Sequence, residues 1–144
     1  MVLSTVPDFF QEETADALRD QVEWLVREVG VDDAFFEQLL GMEKVTFSRW
    51  RAFGAPLPPG GEETLRDLWR AVLHLLSFLN FDQVRVRDIF QKTMPSYASG
   101  TASALTPPWS GTSLKAYLEE ARADGISKMA VWVTGLRFGD PYAA

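Results

Sequence analysis

Cysteine is absent from the 144 residues, so the chain offers no disulfide framework and no thiolate for zinc or catalysis. Histidine is nearly absent as well. His74 stands alone within Ala71-Val72-Leu73-His74-Leu75-Leu76. A metal site needs three or four ligands, and no second imidazole accompanies this one. It reads instead as a hydrogen-bonded structural residue on a core helix. No apolar run approaches the ~20 residues required to span a bilayer. The leading residues Met1-Val2-Leu3-Ser4-Thr5-Val6-Pro7-Asp8 lack the basic start and apolar stretch of a secretion signal, so a cytoplasmic location is expected. Internal repeats and runs of strand alternation are missing too.

The chemistry of catalysis is equally thin. There is no nucleophile elbow, and Gly60-Gly61 is not followed by the Lys-Ser/Thr of a phosphate loop. The carboxylate neighbours Glu12-Glu13, Glu62-Glu63 and Glu119-Glu120 would point about 100° apart on a helix, which makes poor acid/base pairs. The expectation is a protein with no catalytic residue, no cofactor and no metal.

What is present is apolar and helical. Hydrophobic residues make up 47% of the chain and aromatics 12%, ample for a packed interior. In residues 8–29, Ala15, Leu18, Val22, Leu25, Val26 and Val29 recur at three- and four-residue intervals. Asp8 and Gln11 suggest a cap, and Gly30 a stop. Shorter helices are predicted over 33–40 and 44–52. Gly54-Ala55-Pro56-Leu57-Pro58-Pro59-Gly60-Gly61 must break any helix. A long core helix is predicted over 62–80 and a shorter one over 82–92. Residues 93–108 read as a long linker. Two last helices, 114–122 and 126–136, flank a break at Asp124-Gly125. The fold class is all-α, one domain or at most two small ones sharing a core.

The helix pair carries the functional signal. Phe36 and Leu40 share one face of the first helix, and Gly41 permits a sharp turn. Met42, Phe47 and Trp50 would bury the second helix against the first. That leaves Lys44, Thr46, Ser48, Arg49 and Arg51 outward, side chains of the kind that reach phosphates and base edges in a major groove. The net charge of −6 does not exclude this, because it is unevenly placed. Residues 1–30 hold seven acids and two bases, whereas 43–54 hold three bases and one acid. Local phosphate neutralisation decides affinity, and so modest a patch implies a homodimer. Glu37, where alanine or glycine usually stands, and Glu43, near the helix tip, favour a purely structural pair instead.

With helix pair, proline-rich break, long apolar helix and C-terminal block in this order, the chain resembles the Xre/MbcA/ParS-type antitoxins. The resemblance runs over Leu39-Leu40-Gly41-Met42 through Ser48-Arg49-Trp50. It continues in Trp109-Ser110-Gly111-Thr112-Ser113-Leu114, similar to the opening of the family's toxin-binding domain, and in Trp132-Val133 and Arg137-Phe138-Gly139. It implies a homodimeric repressor of its own operon that binds operator DNA and blocks a toxin. On this reading, residues 1–92 form a helical domain with the helix-turn-helix at 33–52. Residues 93–108 link it to a partner-binding block at 109–144. Trp109, Tyr117, Trp132, Arg137, Phe138 and Tyr142 would engage the toxin or the second subunit. The rival reading is an acidic, all-α protein-interaction module without DNA binding, favoured by the negative leading segment. A ligand-responsive regulator ranks last, since no convergent polar groups support a pocket.

Overall fold

The computed structural model describes residues 8–94 and 107–137. Among them the regular structure is entirely helical. A single 3₁₀ turn, Asp8–Gln11, precedes α1 (Ala15–Trp24), which runs into a π turn at Leu25–Val29. Then follow α2 (Asp33–Leu40), α3 (Lys44–Phe53), α4 (Gly61–Phe78), α5 (Gln83–Gln91) and α6 (Leu114–Arg137). No helix among the described residues is long and apolar enough to cross a membrane.

The leading pattern is shorter than its periodicity predicts. The helix begins at Ala15, where the Thr14 hydroxyl accepts from the Ala17 N–H at 3.0 Å. The residues ahead of it turn inward because aromatics pull them there. Phe10 lies edge-on to both Trp24 and Trp69, with ring centroids 5.2 and 5.1 Å away. The Trp69 Nε1–H donates to the Phe10 carbonyl at 2.8 Å. The buried Gln21 amide donates to the carbonyls of Phe9 and Glu12. The acidic start of the chain is therefore folded onto the body from residue 9 onward.

α4 is the central helix and packs against α1, α5 and α6. Its inner face presents Leu65, Leu68, Val72, Leu75 and Leu76, all buried. α6 lies along both α4 and α2, so Leu114, Leu118, Ile126, Met129 and Val133 join the same continuous core as the N-terminal helices. The end of the first described stretch is joined to the residues just ahead of α6. Met94 exchanges backbone hydrogen bonds with Thr112 (3.0 Å) and Gly111 (3.1 Å).

The break in α6 falls at Arg122, not at Asp124-Gly125. Arg122 has φ 54° and ψ −132°, outside helical space, and the helix resumes immediately. Gly125 serves a different purpose. A Cβ there would stand 2.7 Å from the Ala121 Cβ and 3.1 Å from the Tyr117 ring. Glycine is required by close approach, while the turn itself is made by an arginine.

Candidate nucleic-acid interface

The pair α2–α3 forms as its residues dictate. Asp32 caps α2, its carboxylate accepting from the Phe35 N–H at 3.0 Å. The helix ends at Gly41, whose φ of 64° is open to glycine at no steric cost. Only Gly41, Met42 and Glu43 separate α2 from α3, so the two helices meet at a tight corner. Aromatic stacking fixes that corner. The Phe36 and Phe47 rings are stacked across the helices at 5.2 Å and 16°, and Trp50 adjoins Phe47 at 5.8 Å. All three are buried. Glu37 is accommodated half-buried beside this seam, and Glu43 is exposed at the start of α3.

Among the described residues α2 is the one helix against which α3 packs extensively. No other described helix covers its opposite side. Lys44 and Arg49 are exposed and have no ion-pair partner among the described residues; Thr46 and Ser48 are half-exposed. Val45 and Phe53 also face outward, 56% and 82% exposed, in the same i, i+4, i+8 row as Arg49. Four of the five side chains expected on this surface therefore stand on it at least in part.

Arg51 does not join them. Its guanidinium binds Asp33 through Nη1 and Glu23 through Nη2, bracing α3 against α2 and α1. Burial opposes its charge, but the hydrogen bonds and Coulombic pull of the two carboxylates prevail and raise its pKa above the ordinary value. The carboxylates come from residues 18 and 28 positions earlier, so no local spacing signals the pairing. Glu23 of α1 and Asp33 of α2 thus neutralise one cation of α3, and among the described residues no ion pair engages the two nearer the turn.

The C-terminal set divides similarly. Trp109 is 2% exposed and belongs to the core, not to a partner surface. The half-buried Trp132 lies edge-on to it, centroids 5.1 Å apart. Tyr117 is half-buried beside Gly125, and burial pushes its phenol up. Arg137 is the final residue of α6, while Phe138 and Tyr142 lie outside the described residues. Spacing alone could not place Trp109 in the core, because it follows the long linker without helical periodicity.

One cation near the turn escaped the sequence reading. A Cβ placed at Gly41 would stand 3.4 Å from the Arg122 Nη1, so this guanidinium hangs over the α2–α3 corner. No motif marks it, since it comes from the far end of the chain. Among the described residues no group of three or more His, Asp or Glu side chains is arranged to hold a metal. No family model, no curated protein and no solved structure matches the chain.

Proposed function

We propose that α2–α3 is a DNA-reading helix-turn-helix and that the protein is a transcriptional regulator of the antitoxin type it resembles, acting as a homodimer. The observation that carries this reading is the open side of α3. Lys44 and Arg49 are solvent-exposed there and make no ion pair among the described residues, beside the hydroxyls of Thr46 and Ser48, while Phe47 and Trp50 anchor the helix from behind. Lys44 would neutralise a backbone phosphate. Arg49 would contact a phosphate or a guanine edge, and the hydroxyls would read neighbouring bases. The toxin-binding half of the proposal rests on the resemblance of residues 109–139, with Trp132 and Tyr117 as its accessible aromatics.

The test is a fluorescence-anisotropy titration with labelled duplexes tiled across the region upstream of the protein's own reading frame. Binding should weaken steeply with salt. Arg49→Ala should cost about 1–3 kcal/mol at the preferred duplex and relax its sequence preference. Equal affinity for wild type and variant removes Arg49 from the interface.

A second reading has its own support. The exposed Phe53 and Val45 give the row through Arg49 an apolar character suited to a protein surface. That reading expects no retention on DNA at low salt.

A further inference from the structure

We propose that Arg122 of the C-terminal helix is a phosphate-binding residue of the α2–α3 face, so that the DNA-contacting surface is completed by the block at the other end of the chain. This rests on the DNA-reading role given to α2–α3.

The argument starts from the backbone. At φ 54° and ψ −132° a side chain is disfavoured, and glycine is the residue that occupies such a conformation without strain. If α6 needed only a break, glycine would serve better. Yet the nearby glycine is Gly125, placed where a Cβ would collide, and the strained position holds the longest cationic side chain available. The strain therefore accompanies a use for the guanidinium.

Its surroundings fit a phosphate. Arg122 is exposed and makes no ion pair among the described residues. Of the neighbouring acids, Glu119 is engaged with Lys115 at 3.2 Å and Asp124 with Lys128 at 3.2 Å, while Glu120 is exposed and makes no ion pair with Arg122. Beside it opens a cleft of about 250 Å³, walled by Leu40 and Met42 of the turn, by Pro58 and by Thr64. Among the described residues Arg122 is the only charged side chain lining that cleft. The guanidinium sits against Gly41, at the corner from which Lys44 begins α3. A duplex approaching Lys44 and Arg49 would bring its backbone past this corner. Arginine suits the contact because its planar fork binds phosphate oxygens bidentately.

The experiment uses the full chain and a fluorescein-labelled mixed-sequence duplex of 24 base pairs, because phosphate contacts register without knowledge of the operator. Affinity is titrated across a salt series for wild type, Arg122→Gly, Arg122→Lys and Arg49→Ala. Arg122→Gly should bind about tenfold more weakly at low salt, with the slope of log K against log salt shallower by about 0.9, one phosphate's worth. Its thermal midpoint should rise, since glycine relieves the strained backbone, which separates lost contact from lost fold. Arg122→Lys should retain most of the slope and guards against a glycine variant that folds poorly. Unchanged affinity and slope in Arg122→Gly, with Arg49→Ala weakened, overturns this role for Arg122 alone. Salt-independent or absent binding by the wild type overturns it together with the DNA-reading role of the helix pair.

Discussion

Arg49 and Arg51 are two residues apart on α3, about 200° around the helix, and meet opposite surroundings. Arg49 stands in solvent on the open side. Arg51 is turned toward α1 and α2, where Glu23 and Asp33 hold it. Composition treats them as one basic patch, but packing separates them into an exposed charge and a brace. The lesson concerns the acidic leading segment. Its carboxylates do not blanket the cationic helix; one of them, Glu23, pins the flank facing it and leaves Arg49 in solvent on the other.

The largest test of this division removes what both flanks stand on. Trp50 is 1% exposed and adjoins Phe47 within the α2–α3 seam. Trp50→Ala should destabilise the protein by ~3–5 kcal/mol, through lost burial and the cavity left behind. A denaturant titration followed by circular dichroism reads this directly. A loss below ~1 kcal/mol would mean that α3 is not held from within, and the contrast between its sides would lose its basis.

Which parts of this arrangement were legible in the residues follows from the range of the forces involved. The limits of α2 and α3 were readable to within a residue, because caps, a glycine with positive φ and apolar spacing are all local signals. α4 was equally plain, its broad stripe from Leu65 to Leu76 needing no partner to be recognised. The signals failed where distant segments decide. Asp8 and Gln11 looked like a cap, yet Trp24 and Trp69 fold those residues into a separate turn. Asp124-Gly125 looked like a break, yet the chain bends at Arg122 and keeps Gly125 for contact with Ala121 and Tyr117. At the candidate interface, Lys44 and Arg49 could be placed by helical phase alone. Assigning Arg51 required knowing that Glu23 of α1 and Asp33 of α2 come within ion-pair reach of it, and finding Arg122 required knowing that α6 returns to the turn.

A smaller effect is expected from the brace. Arg51→Met keeps the apolar stem and removes the charge. Glu23 and Asp33 retain access to water, 53% and 38% exposed, so neither becomes a stranded buried charge. The loss of stability should stay near ~1 kcal/mol, the upper end for ion pairs with solvent access. The informative measurement is DNA affinity across salt, which should keep the wild-type slope. A slope shallower by about 0.9 would show that Arg51 leaves its carboxylates for a phosphate, and would erase the distinction between the flanks.

The smallest effect on stability, and the sharpest discrimination, belongs to Phe53. At 82% exposed it buries almost nothing within the chain, so Phe53→Ser should change unfolding free energy by no more than ~0.5 kcal/mol. An aromatic ring contributes little to phosphate neutralisation, so DNA affinity and its salt slope should also match the wild type. The same ring would be the natural anchor if this side of α3 were a protein-docking surface, because large aromatics dominate interface energetics. A variant that binds DNA normally leaves the row through Val45 and Arg49 to nucleic acid. If Phe53→Ser instead abolishes capture of a partner protein that wild type retains at high salt, the open side of α3 belongs to that partner. Screening weakens a phosphate contact but not the burial of a ring, so the two occupants of this surface separate on salt alone.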